Sequence, residues 1–287
     1  MNVSVITPTR NRAHILQYCI ERLLDQTRQP DEIIVVDDAS NDGTEGLSIL
    51  KKTKYIKFEE RIGHWRARNI AVREAAGDLI IFVDSDVLVA RNFIEDHLFL
   101  HEKDAKIVVQ GLVRHIRSPR SFGNFTLRVD GLCLTGLVIQ NCSLRKKWIL
   151  DAGLFDDYKL MGYMDVEFGM RLKKMGIRRV VSVRRCIAYH VDGYPTREWL
   201  NNLLSKFEER GRTSWRFIQR AKSWTGEGIS NRRVVLLSNM LSTPRWAEKG
   251  RLVDLLLKSV DSPFIFVFPL LKEVLKLHYR AKGIREG

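Results

Sequence analysis

The sequence predicts an α/β fold: a mixed, mainly parallel sheet flanked by helices, with a helical C-terminal extension. Three observations carry that expectation. Residues 3–36 read strand, helix, strand, the unit that closes a parallel pair through a right-handed crossover. The apolar runs Ile33-Ile34-Val35-Val36 and Leu79-Ile80-Ile81-Phe82-Val83 are unbroken rather than alternating, as strands covered on both faces are. Both runs end in acids, Asp37-Asp38 and Asp84-Ser85-Asp86, at the carboxyl edge where an open α/β sheet binds ligands.

Taken in order, residues 3–6 form the first strand and residues 7–12 a polar turn. Residues 13–26 have helical spacing, with Ile15, Cys19, Ile20, Leu23 and Leu24 on one stripe. Pro30-Asp31 breaks the chain before the second strand. Residues 55–58 form a third strand, and Gly63 opens a helix that runs to Ala76 and is stopped by Gly77. After the central strand come a helix over 92–101, a strand over 106–111, and a basic, irregular loop over 114–130. A strand over 137–144, a helix over 146–152, a helix from Asp165, and strands over 180–183 and 186–190 complete the α/β part.

The 287 residues suit one large α/β domain, residues 1–195, and a basic, mainly helical region, residues 196–287. A net charge of +14 favours acidic partners: nucleic acid, an anionic membrane or a phosphorylated substrate. Four cysteines without C-x-x-C spacing read as reduced thiols in a cytosolic setting. The N-terminus enters a strand at once, without a signal peptide, and no apolar run approaches the ~18 residues of a membrane span.

Two carboxylates one residue apart at a buried strand end are costly to hold without a cation. Asp84 and Asp86 therefore point to a divalent ion, and their hard oxygens suit Mg²⁺ or Mn²⁺. An isolated D-x-D is more often a solvated turn; its surroundings here reverse that. Asp38, on a strand tip, reads as a ligand contact, whereas Ser40, Asn41, Asp42 and Gly43 read as turn and cap. Arg66 and Arg68 sit where a helix start favours phosphates, and equally one of them can pair with a loop aspartate. His97 and His101, spaced i, i+4, have the spacing of metal ligands but no H-E-x-x-H frame.

Four motifs in order carry a specific resemblance: residues 4–11 (SVITPTRN), residues 35–44 (VVDDASNDGT), Gly63 with Ala67-Arg68-Asn69, and Asp84-Ser85-Asp86. Together with residues 141–175 they resemble the inverting glycosyltransferases of family 2, which have the Rossmann-like GT-A fold. The resemblance implies donor-binding positions at Pro8, Thr9, Arg10, Asp38, Arg68, Asp84 and Ser85. It implies a metal, Mn²⁺ or Mg²⁺, on Asp86, with His190 as a further ligand. It implies Asp165 as the general base, although Met164 stands where the family has Glu. The implied reaction moves a sugar from a nucleoside diphosphate, with UDP expected, to a hydroxyl of a glycan or lipid-linked acceptor. The rivals are a sugar nucleotidyltransferase, which would want a glycine-rich loop where Thr7–Arg12 has no glycine, and a nucleotide-sugar-binding scaffold, which Met164 favours.

Beyond Thr196 the composition shifts. Trp199, Leu200, Leu203, Leu204 and Phe207 make an amphipathic stripe, and Arg210, Arg212, Arg216, Arg220 and Lys222 interleave with Trp215, Phe217 and Trp224. Such a pattern serves RNA, an anionic bilayer or a pyrophosphate-facing lid. The apolar stretch 264–271, flanked by lysines and arginine, tilts the balance toward a membrane surface or an oligomer face, with nucleic acid disfavoured. A cytoplasmic protein, peripheral on the inner face of the membrane, is the expected setting.

Overall fold

The structure, a computed structural model, describes residues 1–122, 129–130, 137–156, 163–192, 201–206, 208–209 and 212–213. The chain divides into two compact units: Met1–Asp157 with Phe168–Gly193, and Tyr158–Glu167 with Tyr194–Gly287.

The first unit holds the sheets. Strand β1 (Val3–Thr9) is buried along its whole length, and helix α1 (Ala13–Leu24) returns the chain to β2 (Glu32–Asp38). Then follow β3 (Lys54–Phe58), α2 (His64–Glu74), β4 (Leu79–Val83), β5 (Val87–Val89), α3 (Phe93–Lys103), β6 (Ile107–Gly111), β7 (Val113–Ile116), β8 (Val129–Asp130), β9 (Asn141–Arg145), α4 (Lys146–Asp151), α5 (Met164–Lys174), β10 (Arg178–Ser182) and β11 (Ala188–Val191). The main sheet has the order β10-β6-β9-β4-β1-β2-β3. It is parallel except for β9, which runs antiparallel to both β4 and β6.

Side-chain alternation along each strand assigns its two faces. Val3, Val5, Ile33, Val35, Leu79, Ile81 and Val83 pack with α1 and α3. Ile6, Ile34, Val36, Ile80 and Phe82 pack with α2, α4 and α5. This is why the strand sequences are continuously apolar: both faces are covered. Each such aliphatic side chain contributes about 1.5–3 kcal/mol by leaving water.

A second sheet, β5-β11-β7-β8, takes over where β4 ends. Only Asp84, Ser85 and Asp86 separate β4 from β5, so the acidic triplet is the joint between the two sheets. Residues 114–130 are therefore not wholly a loop: Val113–Ile116 is a strand parallel to β11 and antiparallel to β8. The strand expected over 137–144 is displaced to Asn141–Arg145. Ahead of it, Gln110 captures the Val138 amide with its side chain at 3.1 Å, a bond made off the strand ladder.

Gly77 does not cap α2. The helix ends at Glu74, with Ala75 extended, and Gly77 lies against β1, donating its N–H to Ser4 Oγ at 2.8 Å. A Cβ there would stand 2.5 Å from Ser4 Oγ and 2.6 Å from Ser4 N. The glycine is needed for close approach, not for a left-handed turn. Asn69, from the Ala-Arg-Asn motif, forms a two-way pair with the Phe155 backbone, donating to its carbonyl at 2.7 Å and accepting from its N–H at 2.9 Å.

Within the second unit, Tyr163 and Met164 are buried and residues 201–206 are helical, with Leu204 buried. Arg212 pairs with Glu208 one turn away at 2.6 Å. Among the described residues no helix is long and apolar enough to cross a membrane. The basic and aromatic positions from Trp215 onward and the apolar stretch 264–271 lie outside the described residues.

Candidate active site

Residues 37–44 and 10–13 knit into one platform at the tips of β1 and β2. Asp42 accepts the Ala13 N–H at 2.8 Å, and Asn11 exchanges bonds with Ser40 and Asn41, each at 2.9 Å. Asn11 and Ala39 take left-handed φ values of 51° and 58° to make those turns. Asp37 faces the α1 side, where it accepts from Ser40 N at 2.9 Å and from the Tyr55 hydroxyl at 2.6 Å. Burial and that bond to Asp37 push the Tyr55 phenol up.

Asp38 faces the α2 side and is buried. Its carboxylate accepts the N–H of Ile62 at 2.6 Å and of Gly63 at 3.1 Å, so it anchors the entry to α2. Gly63 has φ +90°, a conformation in which a side chain is strained. Pro8, Thr9 and Ser85 are buried at the strand tips, whereas Arg10 is exposed. The hydroxyls of Thr7 and Thr9 are buried without a hydrogen-bond partner among the described residues. Unsatisfied buried hydroxyls cost stability unless something completes them.

Arg68, of α2, makes an ion pair with Asp84 at the tip of β4. Of the two sequence alternatives for this arginine, pairing with a loop aspartate is the one found. Its guanidinium also lies 4.9 Å from the Trp65 ring, and its Nε is buried without a partner among the described residues.

Asp86 faces the second sheet. Its Oδ2 lies 3.4 Å from Arg12 Nη1 and 3.5 Å from His190 Nε2, while its carbonyl accepts the Val191 N–H at 2.9 Å. His190 Nδ1 is 3.0 Å from Asp192 Oδ1, and Asp192 Oδ2 is 2.9 Å from His115 Nδ1. His190 and His115 are register partners on β11 and β7, their rings 5.3 Å apart. Burial opposes charge on His190, but the bond to Asp192 and the charges of Asp86 and Asp192 outweigh it and raise its pKa. Burial likewise opposes ionisation of Asp192, and the two imidazoles reverse that, holding it well below the carboxylate range.

This donor set fits a divalent ion. Ligand atoms of His115, His190 and Asp192 lie within 4.8 Å of one another, and Asp86 joins them from the joint between β4 and β5. Carboxylate oxygens suit Mg²⁺ or Mn²⁺, and imidazole suits first-row transition ions. His190 Nε2 and Asp86 Oδ2 lie 3.5 Å apart, an approach that a proton or a metal cation between them makes favourable. His190 was legible in the sequence; Arg12, His115 and Asp192 were not. No local pattern marked the last two: the parallel pairing of Val113–Ile116 with Ala188–Val191 aligns the histidines and brings Asp192 beside them.

His97 and His101 are core residues, not ligands at this site. Asn141 Nδ2 donates to Leu112 O at 3.1 Å and Cys186 O at 2.8 Å, so its Oδ1 accepts from His97 Nε2 at 3.3 Å. Ser143 Oγ then donates to His97 Nδ1 at 2.7 Å and accepts from His101 Nε2 at 2.9 Å. That chain requires the His97 ring to be neutral, since its Nδ1 accepts; His101 Nδ1 is buried without a hydrogen-bond partner among the described residues, so a second proton there would have no acceptor.

Asp165 belongs to the second unit and is half-buried in the first turn of α5, where the helix dipole favours a carboxylate. Its Oδ1 accepts the Val166 N–H at 3.0 Å.

A mainly parallel sheet with acids gathered at its strand tips, joined to a small second sheet carrying histidines, defines a transferase-type α/β fold of the GT-A class. Residues 4–171 match the model of Glycosyl transferase family 2, and the chain belongs to that family. It is 32% identical over 163 residues to the glycosyltransferase GlyG of Streptococcus pneumoniae serotype 4, a match covering 53% of each chain. The chain thus spans about half the length of that relative. In fold it is similar to the mannosyltransferase PcManGT from Pyrobaculum calidifontis in complex with GDP-Man and Mn²⁺, with a TM-score of 0.60 and 17% identity over 98% of this chain and 86% of that one. It is also similar to S. aureus TarS 1–349 in complex with UDP-GlcNAc, with a TM-score of 0.57 and 17% identity over 100% of this chain and 91% of that one.

Proposed function

We propose that this family 2 glycosyltransferase is a metal-dependent, inverting enzyme that moves a sugar from a nucleoside diphosphate, UDP in the first instance, to a hydroxyl of a glycan or lipid-linked acceptor in surface polysaccharide or glycoconjugate synthesis. The observation that carries the reading is the meeting of Asp86, His190, Asp192 and His115 at the joint of the two sheets. The Mn²⁺ and GDP-Man of one structural neighbour and the UDP-GlcNAc of another agree with it in kind.

Asp86 and His190 would hold the divalent ion, which when bound supplies Lewis-acid stabilisation of charge on the departing diphosphate. Thr9, with its uncompleted hydroxyl, and Pro8, Arg10, Asp38, Arg68, Asp84 and Ser85 frame the donor. Asp165 takes the proton of the acceptor hydroxyl as its oxygen attacks the anomeric carbon from the face opposite the leaving group. One displacement inverts the configuration, so no nucleophilic carboxylate is needed. Residues 196–287, basic and aromatic, would meet the acceptor or an anionic membrane surface on the cytoplasmic side.

The test is turnover of a panel of nucleotide sugars with Mn²⁺ by the wild type and Asp165→Asn. Loss of at least about 100-fold in kcat is expected of a general base, and an Asn variant with full kcat overturns the assignment. The second reading, a nucleotide-sugar-binding scaffold, is favoured by Met164 in place of the family's Glu. Under that reading the wild type binds UDP-sugars yet neither transfers nor hydrolyses them.

A further inference from the structure

We infer that Asp192 and His115 are positioning residues for His190: His115 clamps the Asp192 carboxylate, Asp192 takes the Nδ1–H of His190, and the Nε2 of His190 is thereby aimed at Asp86. This role rests on the proposed metal site and gives work to two residues outside the D-x-D triplet.

An ionised carboxylate only accepts hydrogen bonds, so each imidazole Nδ1 that touches Asp192 must carry a proton. Asp192 Oδ1 engages His190 and Oδ2 engages His115, so each oxygen is held by an imidazole. With both oxygens held, the carboxylate cannot rotate. Its backbone is fixed too, because Asp192 N–H donates to Ile116 O at 2.9 Å. The tautomer of a histidine is set by the bond its other nitrogen makes. In its neutral form, the form that binds a metal, His190 with Nδ1–H presents Nε2 as the ligand atom, 3.5 Å from Asp86 Oδ2. His115 is buried while Asp192 and His190 are partly open, so the clamp holds the carboxylate from the interior. The parallel pairing of β7 with β11 builds the arrangement by placing His115 and His190 at the same register. Carboxylate partners of this kind typically contribute 10–100-fold to metal affinity.

The experiment is a Mn²⁺ titration without nucleotide, reading the EPR signal of free aqueous Mn²⁺, on the wild type, Asp192→Ala, Asp192→Asn, His115→Ala and His115→Asn. Asp192→Ala should bind about 10–100-fold more weakly. Asp192→Asn should recover most of that loss, since its amide oxygen still accepts the His190 Nδ1–H while its amide nitrogen faces a His115 ring of the other tautomer. His115→Ala should lose several-fold, and His115→Asn, whose amide N–H replaces Nδ1–H, should restore it. If Asp192→Asn is as weak as Asp192→Ala, Asp192 is a charge-bearing ligand and the inference fails. It fails equally if Asp192→Ala matches the wild type. A wild type that binds no Mn²⁺ overturns the proposed metal site along with it, whereas wild-type binding that Asp192→Ala leaves intact overturns this inference alone. Thermal unfolding verifies each fold, and if Asp192→Ala does not fold, the His115 pair decides.

Discussion

Arg68 and Asp84 form an ion pair at the carboxyl edge of the main sheet, the arginine side chain 5% exposed and the aspartate 31%. Removing one partner of a buried pair leaves an uncompensated charge, which costs about 3–5 kcal/mol; because Asp84 reaches water, the lower end applies. Arg68→Ala should therefore destabilise the protein by about 3 kcal/mol in urea unfolding, and Arg68→Ala with Asp84→Ala together should cost less than the sum of the two single changes. Additive losses would mean that the two side chains act independently.

His97 and His101 predict an acid-sensitive core. Burial, with repulsion from His101, lowers His97 to about 3; burial, with the charge of Arg145 and against the bond His101 donates to Ser143, lowers His101 to about 4. Both folded values lie below the unfolded one near 6.5. Between about pH 6.5 and 4 the unfolded chain binds protons that the folded chain refuses, so stability falls as pH falls through that window and is flat above it. At about pH 5 the loss is about 2 kcal/mol per histidine. Urea unfolding at about pH 7 and about pH 5 should show it, and His101→Gln should remove about half of the difference. A wild type equally stable at both values refutes the neutral chain through Ser143.

The main sheet was legible because its strands are apolar on both faces and end in acids: Ile33–Val36 and Leu79–Val83 admit little else. The second sheet was not. Val113-Arg114-His115-Ile116 is four residues long and carries two basic side chains, so composition marks it as loop; only pairing with β11 makes it a strand. The same pairing brings in His115 and Asp192, far apart in sequence from Asp86, which is why the acid triplet was visible and its imidazole neighbours were only half so. Arg68 was visible as a charge, but its choice between a phosphate and Asp84 depends on the distance from α2 to the tip of β4, which no local pattern encodes.

Gly111 marks the passage from the main sheet to the second one, and its lack of a side chain is essential there. A Cβ would press on the Cys186 carbonyl and stand 2.6 Å from Asn141 Nδ2, the donor that holds that carbonyl. The obstruction is backbone, which cannot rotate aside. Gly111→Ala should cost about 3 kcal/mol, the upper end for overpacking, and should move the Asn141–His97–Ser143 chain with it. Thermal unfolding and long-range ¹⁵N spectra of the histidine rings read the two effects. An alanine variant as stable as the wild type contradicts the close approach.

Arg12 and the proposed metal compete for one oxygen. The guanidinium, 43% exposed, lies 3.4 Å from Asp86 Oδ2, the same atom that faces His190 Nε2. In the absence of nucleotide the arginine serves as the cation of Asp86, and a divalent ion must displace it. An ion pair so open to solvent is worth up to about 1 kcal/mol, or about fivefold in affinity. Arg12→Ala should therefore tighten Mn²⁺ binding by about two- to fivefold at low ionic strength, and the gain should shrink as salt screens the pair. With donor present the sign should reverse, because the displaced guanidinium becomes available to an incoming diphosphate, and its loss should raise the donor KM. Weaker Mn²⁺ binding by Arg12→Ala without nucleotide would show that the arginine supports the ion rather than standing in its place.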